Sequence, residues 1–120
     1  MTTKEVANAL VEKCRIGQNI AAINELYADH IVSVEPEYSQ APLTTGLDAV
    51  RKKSELWYEM VEEIHSGEVS DALVAGNHFS CTMIMDITMK GMGRFTMEEV
   101  CVYEVKDGKI VREEFFYAKM

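Results

Sequence analysis

The first third of the chain carries apolar residues at the spacing of α-helices. Residues 2–5 (Thr-Thr-Lys-Glu) have the Ser/Thr-x-x-Glu form of a capping box. Val6, Leu10 and Cys14 follow at intervals of four, with Ala9 beside them, and Gly17 is a natural helix stop. The same spacing predicts a second, shorter helix over about 19–28.

The pattern changes after this second helix. Residues 31–35 (Ile-Val-Ser-Val-Glu) are mostly β-branched and stop at Pro36, which predicts a strand. Residues 36–45 hold both prolines and two threonines, as is typical of a loop. A long third helix is then predicted over about 47–64, and Gly67 is predicted to close it. Its apolar face recurs every three or four positions: Leu47, Val50, Ser54, Trp57, Val61 and Ile64.

From about residue 68 the hydrophobic period changes to two. Turn signals stand at 76–77 (Gly-Asn), 91–93 (Gly-Met-Gly) and 107–108 (Asp-Gly), and they divide residues 68–118 into four predicted strands. Connections this short join only antiparallel neighbours. Helices first and strands last predict an α+β fold, in which three N-terminal helices pack on one face of a curved, mostly antiparallel sheet.

The two central strands of this meander are predicted to turn an apolar face toward the helices. On the first strand that set is unbroken: Phe79, Cys81, Met83, Met85, Ile87 and Met89. On the second strand it contains one acid: Phe95, Met97, Glu99, Cys101, Tyr103 and Val105. The outer faces carry Ile84, Val100 and Val102 among polar residues. This mixture predicts a homodimer through the outer sheet face; a solvated face with scattered apolar residues is the alternative.

Composition and charge exclude several classes of function. A chain of 120 residues fits a single domain over residues 1–120. With 12 Lys and Arg against 20 Asp and Glu, the net charge of −8 repels a phosphate backbone, so no nucleic-acid partner is expected. No apolar run approaches the roughly 18 residues of a membrane span. Residues 1–5 are polar and lack the apolar core of a signal peptide, so a cytoplasmic protein without a membrane partner is expected.

The cysteines and histidines do not form a metal-binding pattern. Cys14, Cys81 and Cys101 are widely spaced, odd in number and embedded in apolar patterns, and the three histidines stand alone. A reduced protein without a structural metal is therefore expected.

Three stretches of the chain resemble one known superfamily. Residues 26–36 are similar to its "aromatic-Ala-Asp-Asp … strand … acid-Pro" segment, residues 46–51 to its "Gly-x-x-Ala-Ile-Arg" segment, and residues 107–111 to its final "Asp-Gly-Lys-Ile-Val". This is the nuclear transport factor two superfamily, which includes the SnoaL-like polyketide cyclases and the ketosteroid isomerases. The resemblance implies a cystatin-like α+β barrel, in which helices and sheet enclose a conical pocket for a small apolar molecule, with no cofactor.

The resemblance also identifies a candidate catalytic acid. Glu35, just before a proline, falls where the ketosteroid isomerases carry their general-base aspartate. The oxyanion tyrosine of the isomerases falls near Leu10 or Val11, whose side chains cannot donate a hydrogen bond. The protonated aspartate of the isomerases falls near Cys101, whose thiol is a poor donor. Steroid isomerase activity is therefore not expected. The alternative for Glu35 is a solvated residue at the end of a strand.

Glu99 is the second candidate catalytic acid. If Met97, Cys101 and Tyr103 face the interior, Glu99 does too, and burial raises the pKa of a carboxyl toward neutrality, where it can act as a general acid or base. Glu35 and Glu99 are thus predicted as an acid/base pair. The alternatives for Glu99 are a structural ion pair or hydrogen bond, and a bulge near Gly93 that turns Glu98 inward instead.

The orientation of the last strand depends on the Asp107-Gly108 turn. A two-residue turn would place Ile110, Arg112, Glu114 and Phe116 on the face of Tyr103. A three-residue loop with a left-handed glycine would select Val111, Glu113, Phe115 and Tyr117, and this second orientation is favoured because the related families place pocket aromatics at that parity.

Six residues are predicted to line the ligand pocket: Tyr27, Trp57, Met85, Cys101, Tyr103 and Tyr117. Core packing is the alternative for Trp57 and the methionines. The function expected is a small-molecule-binding protein of the SnoaL-like type, in which acid/base chemistry on a small carbonyl compound needs no cofactor. A non-catalytic dimeric interaction or ligand-binding module is the alternative.

Overall fold

The computed structural model describes residues 1–119 and contains three helices and seven strands in that part of the chain. The helices are α1 (Thr3–Arg15), α2 (Asn19–Leu26) and α3 (Leu47–Met60). The predicted capping box is confirmed, because Thr2 and Glu5 exchange side-chain and backbone hydrogen bonds at the start of α1. Within residues 1–119, no helix is both long and apolar enough to cross a bilayer.

The strands form one mixed sheet. They are β1 (Tyr27–Val34), β2 (Leu43–Thr45), β3 (Val61–Val69), β4 (Leu73–Ala75), β5 (His78–Met89), β6 (Gly93–Lys106) and β7 (Lys109–Phe116). Their order is β2-β1-β7-β6-β5-β3, with β4 paired to β5 beside this path. Only β1 and β7 pair in parallel; the other pairs are antiparallel. The predicted α+β class, three helices packed on a mostly antiparallel curved sheet, is confirmed.

The predicted extent of the third helix is wrong. The helix ends at Met60, and the chain turns extended at Val61, which pairs with Met89 of β5. The residues at 61 and 64 continue the helical period, but they are β-branched and an open edge of β5 lies beside them, so strand pairing prevails over periodicity. Gly67 does not close a helix; it lies inside β3 opposite Met85. The predicted number of strands is also wrong: five strands, β3 to β7, follow α3 instead of the four predicted within residues 68–118.

The second helix and first strand are also displaced from their predicted bounds. The helix stops at Leu26 rather than Ala28, and β1 begins at Tyr27 rather than Ile31. The reason is the parallel partner strand, because Tyr27 already pairs with Ile110 of β7.

The core lies between the helices and the inner face of the sheet. The predicted helix-facing sets of β5 and β6 supply Phe79, Cys81, Cys101, Tyr103 and Val105 to it. These sets keep their orientation because β5 and β6 pair in unbroken register from His78–Glu104 to Met89–Gly93. The bulge near Gly93 is thereby excluded, and Glu99 shares its face with the buried residues.

The last strand combines both orientations considered for it. Asp107 and Gly108 both have positive φ, at 52° and 76°, and form a two-residue turn of the kind that tight hairpins favour. Val105 therefore pairs with Ile110, as the two-residue turn requires. The register then shifts by one residue, so that Tyr103 pairs with Glu113. The inward position of Glu113 is confirmed, but the three-residue loop predicted as its cause is wrong; a bulge is the cause.

Candidate functional site

The inner face of β5 is covered at both ends and open in the middle. Phe79 and Cys81 are buried at one end and Ile87 at the other, whereas Met83 and Met85 between them are part-exposed. Their partners on β6, Glu99 and Met97, are part-exposed as well. These four residues (Met83, Met85, Met97 and Glu99) form what we call the inner recess: a part-exposed, methionine-rich patch of the inner face with one carboxyl group.

The carboxyl group of Glu99 has few polar contacts. Its Oε1 accepts a long hydrogen bond from the thiol of Cys101, at 3.6 Å. Burial raises the pKa of Glu99 to about 7; the Cys101 thiol opposes this rise, the carboxylates of Glu35 and Glu113 add to it, and the Lys53 ammonium opposes it. Glu99 is thus placed to exchange a proton near neutral pH.

Glu35 is not a solvated residue at a strand end. One carboxylate oxygen, Oε2, accepts from the ammonium of Lys53 at 2.8 Å, and the other, Oε1, accepts from the hydroxyl of Tyr117 at 2.7 Å. Burial, followed by the hydrogen bond to Glu35, raises the pKa of Tyr117 to about 12. Tyr117 therefore stays protonated and keeps donating to Glu35 across the neutral range.

A second, deeper carboxyl group lies behind this pair. Glu113 is only 3% exposed and accepts hydrogen bonds from the hydroxyls of Tyr27 and Ser33, the latter at 2.7 Å. Ser33 accepts in turn from Lys53 at 2.9 Å. Burial raises the pKa of Glu113, and the two hydroxyl donors and the Lys53 ammonium oppose this rise.

Lys53 joins the two carboxyl groups into one network. Its ammonium contacts Glu35 directly and reaches Glu113 through Ser33, and it lies 5.7 Å from the centre of the Phe115 ring. Two of its three hydrogens are used by these oxygens, so one remains to be offered to a ligand. The network runs through six residues: Tyr27, Glu113, Ser33, Lys53, Glu35 and Tyr117.

The structure divides the predicted pocket residues into two groups. Trp57, Met85 and Tyr117 are part-exposed, as a lining residue must be. Tyr27, Cys101 and Tyr103 are buried in the core; the ring of Tyr103 stacks on Phe79 with 4.7 Å between centroids. They support the site from behind.

Sequence reasoning missed Lys53 and Ser33. A signal for Lys53 was available, since it lies three positions after Val50 and four before Trp57 and therefore shares their face of α3. Ser33 alternates with Ile31 and Glu35 along β1, which indicates the same inward face. In residues 1–119, no group of three or more His, Cys, Asp or Glu side chains is placed to hold a metal ion.

The raised pKa of Glu99 predicts a dependence of stability on pH. In the unfolded chain a glutamate titrates near 4.5, whereas Glu99 titrates near 7 in the fold. The fold therefore binds a proton more tightly, and this stabilisation is complete below pH 4.5 and lost as pH rises to about 7. We expect it to amount to about 2–3 kcal/mol.

The measurement is urea unfolding of the wild type and Glu99→Gln between pH 4.5 and 8. Glu113, whose pKa is also raised, gives both proteins a slope of the same sign, so the difference between the two curves isolates Glu99. Parallel curves would contradict the assignment of a buried, titrating carboxyl to this position.

Comparison with known proteins matches nearly the whole chain to one protein family. A family model described as SnoaL-like domain matches residues 1–117. A solved structure from Mesorhizobium loti, described as a proposed SnoaL-like polyketide cyclase, is 38% identical over 98% of this chain and 100% of that one, with a TM-score of 0.92. No curated protein sequence matches significantly.

More distant solved structures share the fold. A protein from Xanthomonas campestris with a cystatin-like fold is 18% identical, with a TM-score of 0.83 over 99% of this chain and 92% of that one. A ketosteroid isomerase-like fold from Catenulispora acidiphila, solved with trimethylamine, is 19% identical, with a TM-score of 0.74 over 95% and 85% of the two chains. At these identities the likeness concerns the fold.

Proposed function

This chain belongs to the SnoaL-like domain family, and we propose that it binds a small, largely apolar carbonyl compound at the inner recess and transfers a proton at the carbon beside the carbonyl group. No cofactor takes part. The observation that carries the proposal is Glu99: a carboxyl group on a methionine-lined wall, with a pKa raised to about 7 and a network of hydrogen-bond donors nearby. Such a group takes up and returns a proton at neutral pH.

The two predicted catalytic acids take different roles in this mechanism. Both oxygens of Glu35 already accept hydrogen bonds, one from the Lys53 ammonium and one from the Tyr117 hydroxyl, so neither is free to approach a substrate carbon. Glu99 therefore removes the proton from carbon and returns it. Glu35 is a positioning residue that holds Lys53 and Tyr117.

Lys53 stabilises the oxyanion that forms on the substrate. When Glu99 takes the proton, negative charge moves to the carbonyl oxygen, and a fixed cation is an effective partner for it in a partly dry site. The third hydrogen of the Lys53 ammonium is the donor, since Ser33 and Glu35 hold the other two. The Lys53 ammonium thus replaces the tyrosine and the protonated aspartate of the ketosteroid isomerases, whose positions fall near Leu10 or Val11 and near Cys101 in this chain.

The test is hydrogen–deuterium exchange at carbon. A panel of small apolar ketones and aldehydes is incubated with the protein in D2O, and loss of the α-proton signal is followed by NMR. We expect at least one compound to exchange faster than in carboxylate buffer alone. Native mass spectrometry of freshly purified protein would supply the natural ligand for the panel. Failure of every compound, the captured ligand included, to exchange would contradict the catalytic proposal.

The alternative is a non-catalytic dimeric module, and the outer face of the sheet supports its dimeric part. Val100 and Phe116 are 44% and 49% exposed there. They are among the residues that line a depression of about 830 Å³, which also includes Met97, Glu99 and Tyr117. Exposed apolar residues on one face of a sheet fit a second copy of the same sheet. Ligand binding without any exchange at carbon would favour the non-catalytic function.

We expect Val100→Glu to convert a dimer into a monomer. The substitution places a carboxylate on each side of the proposed interface, where burial without a partner costs several kcal/mol. Sedimentation equilibrium gives the mass directly. Leu56→Glu is the matched control, because Leu56 is exposed on α3, on the opposite side of the sheet from this face. A wild-type monomer, or equal loss of dimer in both variants, would contradict the outer-face interface.

A further inference from the structure

Two buried cysteines face each other across the middle of the sheet. Cys81 of β5 pairs directly with Cys101 of β6, and their side chains lie on the same inner face, 4% and 0% exposed. Directly opposed residues of an antiparallel pair have Cα atoms about 4.5 or 5.5 Å apart, according to the ladder position. Both spacings lie within the range of about 4.4–6.8 Å that a disulfide spans.

Both thiols are free. Because the two residues are directly opposed on one face of paired strands, the strands already hold them at a spacing that a disulfide can span. The residues between them, 82–100, belong to the β5–β6 hairpin, whose register is regular throughout.

From this geometry we propose that Cys81 and Cys101 are an oxidation site, which a small peroxide converts to a disulfide, and that its closure changes the hydrogen bonding of Glu99. Neither the acid/base chemistry nor the family assignment calls on these thiols as a pair. The part of the proposal that concerns Glu99 rests on the proposed function; the formation of the disulfide does not.

The chemistry balances with hydrogen peroxide as the oxidant. Cys81 is the first nucleophile, because the neighbouring Cys101 side chain lowers the pKa of its thiol while burial opposes the change. Its thiolate attacks one peroxide oxygen; an S–O bond forms, the O–O bond breaks, and the released hydroxide takes up the Cys81 proton as water. The sulfur of Cys101 then attacks the sulfenic acid; the S–S bond forms and the S–O bond breaks. The second hydroxide leaves with the Cys101 proton as a second water.

Access and proton transfer both involve the inner recess. Met83 and Glu99 stand two positions from Cys81 and Cys101 on the same face and are part-exposed, and peroxide is close to water in size. The Glu99 carboxylate accepts from the Cys101 thiol at 3.6 Å, so it is placed to receive the thiol proton before the proton reaches the departing hydroxide.

Closure removes one donor from Glu99. The Cys101 thiol hydrogen is the hydrogen-bond donor that opposes the rise in the pKa of Glu99, and the disulfide has no such hydrogen. The other groups that act on Glu99 keep their places: the carboxylates of Glu35 and Glu113 and the ammonium of Lys53. Oxidation therefore raises the pKa of Glu99 further and favours its protonated form at neutral pH.

The test for the disulfide is intact mass after oxidation. The whole protein is treated with a slight excess of hydrogen peroxide, free thiols are alkylated, and the product is weighed and mapped without reduction. We expect the loss of two hydrogens, one alkylated thiol at Cys14, and a linked peptide pair containing Cys81 and Cys101. Cys14→Ser should behave in the same way. Cys81→Val, which preserves an apolar core, should not form the disulfide.

Three results would overturn the oxidation site. They are a linkage between Cys14 and Cys81, a linkage between two chains, and oxidation that stops at sulfenic or sulfinic acid. The linkage to Cys14 is the sharpest of these, because Cys14 lies near enough to Cys81 for Cys81 to contribute to the raised pKa of the Cys14 thiol.

The link to Glu99 has its own readout. The ¹³C carboxyl resonance of Glu99, assigned with Glu99→Gln, is titrated in the reduced and oxidised proteins. We expect an upward shift of its titration on oxidation, reversed by a reductant. A disulfide that leaves this titration unchanged would overturn the link. Neither readout uses the exchange assay, so a protein that oxidises as described but exchanges nothing would refute the proposed function alone.

Discussion

Replacing Glu113 with alanine is expected to lower the free energy of unfolding by about 3–5 kcal/mol. The carboxyl group is 3% exposed and accepts from the hydroxyls of Tyr27 and Ser33, which lose their acceptor in the variant. Each buried polar group left without a partner costs about 1–3 kcal/mol. Lys53 loses part of its negative surroundings at the same time, and a cavity remains where the side chain was.

Urea unfolding monitored by circular dichroism at pH 7 measures this loss. Glu114→Ala is the matched control, because the Glu114 carboxyl is more exposed than that of Glu113 and contacts Arg112 at the surface. We expect this variant to change the free energy of unfolding by no more than about 0.5 kcal/mol. Glu113→Gln retains an acceptor and should fall between the two. Equal stabilities of the Glu113→Ala and Glu114→Ala proteins would show that the buried network contributes nothing to the fold.

Local signals predicted the order and type of most elements. The capping box at Thr2 and Glu5, the stop at Gly17 and the turn at 107–108 are decided within a few residues of themselves, and all appear in the structure. The end of α3 is decided elsewhere. The sequence of residues 61–69 carries no sign that an edge of β5 lies beside them. Their β-branched residues are therefore compatible with a helix or a strand, and pairing with β5 decides between the two.

The residues of the candidate site differ in the same way: some are placed by local sequence and others by contacts distant in the chain. Glu99 could be placed because an unbroken alternation from Met97 to Tyr103 fixes its face, and no bulge interrupts it. The partners of Glu35 could not, since Lys53 and Tyr117 are 18 and 82 positions away in the chain. Only the packing of α3 and the end of β7 against β1 brings them together. The role of Glu35 depends on those partners, so its chemistry could not follow from its position alone.

Glu99→Gln is expected to reduce the rate of exchange at carbon by about 10²–10⁴-fold, the usual contribution of a general acid or base. Glutamine preserves the volume of the side chain and a hydrogen-bond acceptor for Cys101, so the recess keeps its shape and ligand affinity should change little. In the wild type the rate should rise with pH and level off above about 7, as Glu99 ionises. The variant should lose this rise.

Two further variants separate the roles of the carboxyl groups. Glu98→Gln removes the same charge at the neighbouring position, which is exposed on the outer face, and should leave the rate unchanged. Glu35→Gln should lower the rate less than Glu99→Gln and preserve the rise near pH 7, because a positioning residue does not carry the proton. If Glu35→Gln abolished exchange and Glu99→Gln did not, Glu35 would be the base despite its two hydrogen bonds, and Lys53 would have to release it when the substrate binds.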